Sequence, residues 1–298
     1  MTVATGNFAE LLWPGLRTVW GNSYKDFSPV WSKVFNEVKS DKAFEKDQGV
    51  TGLPLAGVKE QGATASYVDP VQGYQKEYVH VTYALGSSVT REMWEDDQYR
   101  YIRRIPAMLS RSLRHTEETT HANVLNNAFG SETGADGLSI INASHVNAAD
   151  GATQANQPST AADLTQASLE QAFIDIAGWT DDQGLRQQVG LRSLLVPRQL
   201  RFTAQKILRT AGEVGTDANT INPMNGAMEM IEWVYLTDTD AWFVLTDQRE
   251  AGFISFLRRP AELERDNEFD TQNLKMLTTK RWSMGATDWR CVYGSAGA

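Results

Sequence analysis

The sequence has few of the residues on which covalent cross-links, metal centres and membrane insertion depend. Cys291 is the only cysteine among 298 residues, which excludes an intrachain disulfide and a zinc site built from cysteines. No apolar run approaches the roughly 20 residues that a transmembrane helix needs, so we expect no membrane partner. The first residues lack the basic and apolar regions of a signal peptide, which predicts a chain that stays in the cytoplasm where it is made.

The sequence also lacks the common catalytic and nucleotide-binding motifs. It contains no Gly-x-Ser-x-Gly, Walker A, Rossmann glycine or His-Glu-x-x-His motif. The four histidines are scattered, and the six-residue spacing of His115 and His121 puts them on different faces of a helix. We therefore expect no catalytic activity and no cofactor.

The charge of the chain limits its relation to nucleic acids. Its formal net charge is −9, whereas duplex binding depends on neutralisation of phosphates by Lys and Arg. This net negative charge argues against a protein that wraps DNA. It is compatible with a shell that faces DNA without binding it tightly. The densest basic cluster runs from Arg100 to Arg114, and acidic residues on the same predicted helix match it. A solvated helix face with ion pairs is the preferred interpretation.

Two Glu-x-x-His sequences raise the alternative of a di-iron carboxylate protein. The pairs are Glu77 with His80 and Glu118 with His121, and this spacing supplies metal ligands when helices face one another. Only the second pair falls in a predicted helix, and the four long helices of such a bundle are absent from the pattern. We therefore interpret Glu118 and His121 as part of a solvated helix face and expect no metal.

An extended segment precedes the most regular part of the chain. Residues 49–62 are rich in glycine and poor in periodic apolar residues, so they should be extended unless another surface holds them. Residues 63–68 and 74–83 alternate as strands do, and the Asp-Pro and Gly between them have turn chemistry, which predicts a β-hairpin. A lone two-stranded hairpin is only marginally stable in water, so we expect other subunits to cover it.

A helix of nearly forty residues is predicted over 91–129. Carboxylates near its start favour the positive end of the helix dipole, and an apolar stripe follows one face. Its length of roughly 58 Å exceeds what a compact domain of this size needs. Pro106 lies inside the pattern and should kink or interrupt the helix, and Gly130 is the predicted stop.

The rest of the chain predicts an arm and a second α/β unit. Residues 1–48 are rich in aromatic side chains that recur at no regular spacing, apart from a short helical pattern around Glu10 to Trp20. This is typical of an arm that lies on other surfaces. Thr165 is the predicted cap of a helix. A buried strand at 191–196 is followed by Pro197 and a second helix, and the polar loop at 212–226 is long enough to be functional or disordered. Further strands are predicted at 231–236, 242–245, 253–257, 274–279, 282–286 and 289–293.

Several short sequence segments resemble the major capsid proteins of tailed bacteriophages, and in particular the Mu-like major head subunit group. Their order and spacing carry the resemblance, which spans roughly residues 50–295. The segments are Tyr67 to Tyr74, Tyr78 to Gly86, Val89 to Met93 with Glu95 to Asp97, Asn126 to Phe129, Asp136 to Leu138 with Ser144 and His145, and Leu194 to Pro197.

The resemblance implies the Hong Kong-97-type capsid fold, which is an α+β fold. It assigns an N-terminal arm to 1–48, an extended hairpin called the E-loop to 49–83, a peripheral domain to 84–191 with its spine helix at about 91–129, an axial domain to 192–256, and return strands of the peripheral domain to 257–298. Contact residues are expected in the E-loop at Tyr67, Asp69, Pro70, Gly73 and Tyr74, and in the axial-domain loop at Asn219, Asn222, Pro223 and Asn225.

The implied function is that of a major capsid subunit. Its copies would form hexamers and pentamers of an icosahedral shell that encloses double-stranded DNA without sequence-specific binding. Expected partners are other copies, a separate scaffold, a portal and decoration proteins, with assembly in the host cytoplasm and a final place in the virion capsid. We find no motif for covalent cross-linking, and the N-terminus suggests an uncleaved subunit. An encapsulin-like nanocompartment shell, which has the same fold and holds enzyme cargo, is the alternative.

Overall fold

The computed structural model of the protein describes residues 9–62, 64–96, 101–212, 221–268 and 270–298. Two four-stranded sheets and two short two-stranded ribbons make up its β-structure within these ranges. No helix among these residues combines the length and the apolar character needed to cross a membrane.

The helices and strands alternate irregularly along the chain, as expected for an α+β fold. The helices are α1 (Ala9–Asp26), α2 (Trp31–Val34), α3 (Arg91–Glu95), α4 (Ile105–Asn126), α5 (Gln166–Ala177), α6 (Arg201–Arg209) and α7 (Arg249–Gly252). The strands are β1 (Asn36–Lys39), β2 (Phe44–Val50), β3 (Gln72–Val79), β4 (Val81–Val89), β5 (His145–Val146), β6 (Thr153–Gln154), β7 (Leu191–Val196), β8 (Glu229–Glu232), β9 (Trp242–Thr246), β10 (Phe253–Asn267), β11 (Leu274–Ala286) and β12 (Val292–Ser295).

The first sheet has the strand order β1-β10-β11-β4. β1 runs parallel to β10, and the remaining pairs are antiparallel. Successive side chains of a strand point to opposite faces. In β11, Met276 and Trp282 are therefore buried in a core shared with α1 and α4, whereas Lys275 and Leu277 are exposed on the other face.

The second sheet has the order β12-β9-β7-β8 and is covered on both faces. The neighbours Leu194 and Leu195 of β7 point into two different cores. Leu195 packs in the cluster that contains Leu125 of α4, and Leu194 packs in the cluster that contains Leu169 of α5 and Ile207 of α6. Burial of each such leucine stabilises the fold by about 1.5–3 kcal/mol.

The predicted forty-residue helix is wrong in length, and its described residues form α3, a 3-10 turn at Ile102–Arg104 and α4. α4 has 22 residues, which corresponds to roughly 33 Å, and Pro106 lies in its first turn. Proline is accepted there because the first helical N–H groups have no intrahelical acceptor, so no kink is required. The helix ends at Asn126, before Gly130, and residues 97–100 of the predicted span lie outside the described residues.

Local signals in the later part of the chain are confirmed. Thr165 caps α5, since its side chain accepts from the backbone N–H of Ser168 and the Ser168 hydroxyl accepts from the backbone N–H of Thr165. The strand at 191–196 is present and is followed by Pro197, a short 3-10 turn and α6.

The C-terminal segment is divided between the two sheets. The predicted strands at 274–279 and 282–286 form the single strand β11, which pairs with β10 and β4 in the first sheet. β12 pairs instead with β9 in the second sheet, with Val292 opposite Leu245. The segment 257–298, to which the capsid resemblance assigns the return strands, thus contributes strands to both sheets.

Candidate assembly site

The predicted hairpin is present but its first strand is wrong. β3 pairs with β2 in antiparallel fashion, with Phe44 opposite Val79, and residues 63–68 form no strand among the described positions. The predicted run at 74–83 is divided between β3 and β4. Residues 44–48 of β2 fall within the predicted N-terminal arm, so the stem of the hairpin begins before residue 49.

Opposite charges across the two strands favour this register. Lys46 lies opposite Glu77, and Asp47 lies opposite Lys76. The Lys46 ammonium is 3.4 Å from the Glu77 carboxylate. Opposite-charge pairs of this kind contribute about 0.2–1 kcal/mol each, whereas a shift by one residue would place like charges together.

Gly73 occupies a strand and not the predicted turn. A β-carbon at Gly73 would lie 2.9 Å from the backbone oxygen of Gly49 on β2. The register between β2 and β3 is irregular beside this contact, between Gln48 and Val50. Glycine at position 73 therefore permits close approach of two backbones, a role that glycine often has at bulges.

Thr51 and Val71 close the stem and define a loop of residues 52–70. The Thr51 N–H and hydroxyl both donate to the Val71 carbonyl at 3.0 Å, and the Val71 N–H donates to the Thr51 hydroxyl at 2.9 Å. Every described residue of this loop is exposed. The exposed apolar side chains of the loop include Val58 at 99%, Tyr67 at 91% and Leu55 at 78%.

The stem is anchored to the body by polar contacts at several points. The Lys76 ammonium lies 3.1 Å from the Glu132 carboxylate and donates to the Thr133 carbonyl at 2.6 Å. The Tyr78 hydroxyl lies 2.6 Å from the Thr287 hydroxyl, which donates to the Asp47 carboxylate at 2.7 Å. These bonds fix the direction of the stem, so the loop projects from a defined place.

The residues predicted for contact in the E-loop are separated by the structure into two groups. Tyr67, Asp69 and Pro70 lie in the exposed loop. Gly73 and Tyr74 lie in β3, inside the stem. The five residues therefore do not form one tight turn, and only the first three lie where the chain projects.

The predicted axial-domain loop contains one residue that stabilises the fold. Asn222 is buried, and its amide donates to the carbonyls of Ile207 at 2.6 Å and Thr210 at 2.9 Å. It thereby satisfies carbonyls at the C-terminal end of α6, which lack intrahelical partners. Pro223 and Asn225 are exposed, and Asn219 lies outside the described residues.

The prediction that Glu118 and His121 form a solvated helix face is wrong. The Glu118 carboxylate accepts from the backbone N–H of Val30 at 2.6 Å and from the Trp233 indole at 2.7 Å, and burial raises its pKa. The His121 ring stacks on Trp31, with ring centroids 4.4 Å apart. Among the described residues, no group of three His, Cys, Asp or Glu could hold a metal ion.

His121 provides a test of this buried arrangement through pH. Burial lowers its pKa from 6.5 to about 3, so between these pH values the unfolded chain binds a proton that the folded chain does not. Its contribution to stability is complete above pH 6.5 and is lost as the pH falls toward 3. We expect His121→Gln to reduce the slope of unfolding free energy between pH 6 and 4.5 by up to about 1.4 kcal/mol per pH unit. Denaturant titrations at several pH values measure this slope, and equal slopes would contradict the assignment.

A buried charge network that the sequence pattern did not reveal joins α1, α4 and β11. Glu117 is fully buried, and its carboxylate lies 3.0 Å from the Arg114 guanidinium and 3.2 Å from the Lys280 ammonium. The Tyr24 hydroxyl of α1 donates to the same carboxylate at 2.5 Å, and the Arg114 guanidinium lies 3.5 Å from the centre of the Tyr24 ring. Only the spacing of Arg114 and Glu117 on one helix is visible in the sequence.

Comparison with known proteins agrees with this architecture. The sequence model of a family described as phage capsid protein matches residues 73–295. The chain has no match among curated proteins. The chain belongs to the phage capsid protein family.

Solved structures with the same fold are also capsids and shells. The capsid of cyanophage P-SCSP1u gives a TM-score of 0.62 at 11% identity, covering 91% of this chain and 88% of that one. The mature capsid of bacteriophage PhiM1 gives 0.61 at 9% identity, covering 90% and 86%. A virus-like particle from Pyrococcus furiosus gives 0.57 at 9% identity, covering 95% and 98%. The fold is thus of the Hong Kong-97 type. The family match makes the protein a phage capsid subunit.

Proposed function

We propose that copies of this subunit contact one another mainly through the loop at 52–70, and thereby form the hexamers and pentamers of a shell around double-stranded DNA. We assign the loop and its stem to the E-loop of the capsid fold. The observation that carries the proposal is the row of exposed apolar side chains on a loop whose stem is fixed by Lys76 and Tyr78. A neighbouring copy that covers this row would remove apolar surface from water.

The contacts act by physical association and require no catalytic step. An extended loop can add backbone hydrogen bonds at a neighbour's strand edge, and many modest contacts multiply through avidity across a lattice. We further propose that the chain belongs to the subgroup of Mu-like head subunits. The basis is the set of short sequence segments between Tyr67 and Pro197 that resemble that group. The proposal also includes assembly in the host cytoplasm. The proposed partners are a separate scaffold, a portal and decoration proteins.

Electron microscopy with size-exclusion light scattering tests this function on the purified full chain. We expect rings of five or six copies, or closed shells, at micromolar concentration. A strictly monomeric chain over the whole concentration range would contradict the proposal. Particles from the native source should contain nuclease-protected DNA, whereas a folded enzyme as the only content would favour the nanocompartment alternative.

A further inference from the structure

One stretch of the chain has a charge opposite to that of the protein as a whole. Between Asp182 and Glu213 the sequence contains no Asp or Glu, although the net charge of the protein is −9. The same stretch contains six cationic residues, which are Arg186, Arg192, Arg198, Arg201, Lys206 and Arg209. The stretch includes β7, which is buried in the second sheet, and α6, which covers that sheet.

The helix α6 separates these cations from its apolar side. Ala204, Ile207 and Leu208 are buried against the second sheet. At 3.6 residues per turn, Arg201, Lys206 and Arg209 fall within about 140° of arc on the opposite side. All three cations are exposed.

Two further residues extend this exposed side. Arg198 is exposed in the 3-10 turn one step before the helix, and Phe202 is 69% exposed beside Arg201. We call the surface formed by Arg198, Arg201, Phe202, Lys206 and Arg209 the basic face.

Most of the charge on the basic face is not neutralised within the chain. Arg201 lies 3.0 Å from the Glu232 carboxylate, in a partly exposed pair. Within the part of the chain that the structure describes, no ion pair involves Arg198, Lys206 or Arg209. Three cations therefore remain available to an anionic partner.

The composition of the basic face fits a phosphate backbone better than another protein. Protein–protein interfaces lose charged residues from their core, whereas interfaces with DNA are strongly positive and place most of their hydrogen bonds on phosphate and sugar. The face has four cations and one aromatic side chain, which is too little apolar surface for a packed protein contact. Guanidinium groups also bind phosphate oxygens through two parallel hydrogen bonds.

We infer that the basic face binds the phosphates of double-stranded DNA without reading its sequence. The inference rests on the proposed function, because it is the enclosed DNA that would meet this surface. A net charge of −9 repels DNA from most of the subunit, so attraction is confined to the surface where the cations are concentrated.

Fluorescence anisotropy with a labelled 20-base-pair duplex tests the inference on the unassembled full chain. We expect the triple variant Arg198→Gln, Lys206→Gln, Arg209→Gln to bind at least about tenfold more weakly at low salt. The slope of log affinity against log salt should become shallower by roughly 2 to 3, since each lost phosphate contact removes about 0.9. Duplexes of different sequence should show the same loss. A wild-type chain that does not bind duplex at low salt overturns the inference.

A matched control removes the same charge from elsewhere on the surface. Arg17, Lys25 and Lys39 are exposed and far from α6 in sequence, and we expect their combined change to Gln to leave most of the affinity and slope in place. Equal losses in the two triple variants would show a general charge effect and overturn the inference. Circular dichroism and melting curves establish that both variants are folded.

Electron microscopy of the same variants separates this inference from the proposed function. Shells that form from the basic-face variant while its duplex affinity is lost support the inference. Unchanged duplex affinity with loss of shells would mean that the face meets carboxylates of a second copy, which overturns it and leaves the capsid function in place. Failure of the wild-type chain to assemble would instead count against the proposed function.

Discussion

Replacement of residues 52–70 by an Asn-Gly turn is expected to give a folded subunit that no longer forms closed shells. Thr51 and Val71 already lie side by side, so a two-residue turn can join them without moving β2 or β3. The replacement removes the exposed apolar row, and none of the buried cores contains a residue of this loop. Melting temperature should change little, whereas electron microscopy should show single subunits or open fragments.

A variant that keeps the length of the loop tests whether its apolar side chains, and not its length alone, are required for assembly. A variant in which Leu55, Val58 and Tyr67 are changed to Ser retains an extended loop without its three most exposed apolar side chains. We expect this variant to lose shells as well, because apolar burial on the neighbour supplies the contact. Glu60→Gln in the same loop is the control and should assemble normally. Normal particles from the turn replacement would refute the role of the loop.

Glu117→Gln is expected to lower the free energy of unfolding by about 3–5 kcal/mol. The change removes one negative charge that lies within 3.2 Å of both Arg114 and Lys280, and it leaves two largely buried cations without their anion. The Tyr24 hydroxyl also loses a charged acceptor, which weakens the attachment of α1 to α4. Chemical denaturation measures the loss, and hydrogen exchange should show α1 opening more readily.

Glu77→Gln is the matched control for this effect. Glu77 pairs with Lys46 at 3.4 Å, and both side chains are about half exposed. Exposed pairs contribute roughly 0–1 kcal/mol because water already solvates both charges, so this variant should be nearly as stable as wild type. A loss at Glu117 no larger than the loss at Glu77 would show that burial of the network has no energetic consequence.

Local patterns predicted single elements well and pairing partners less well. The alternation in 74–83 correctly indicated strand structure, which is divided between β3 and β4. The hairpin turn predicted from Asp69 to Gly73 is wrong, because no strand directly precedes it among the described residues and Gly73 lies in β3. The partner strand β2 was missed because its sequence, from Phe44 to Val50, has no apolar alternation. Its register depends on charged residues about thirty positions away in the chain, and the local periodicity of the sequence does not indicate such pairing.

Burial of polar residues was the other feature that sequence reasoning missed. Glu118 and His121 have the composition of a solvated helix face, and their environment is set by Val30, Trp233 and Ser255. These partners lie far from α4 in the chain, so a single sequence cannot show that they converge. The resemblance to capsid proteins supplied the overall fold, but it did not supply the hydrogen-bond partners of these side chains.

The strand pairing also determines when the subunit can become competent to assemble during synthesis. β1 is made early, but its partner β10 begins only at Phe253, and β9 pairs with β12 at the end of the chain. Neither sheet can be completed until the last strands have left the ribosome. Nascent chains on one messenger RNA therefore carry unpaired strand edges while they are close together, which makes them prone to associate with one another until β11 and β12 have been made.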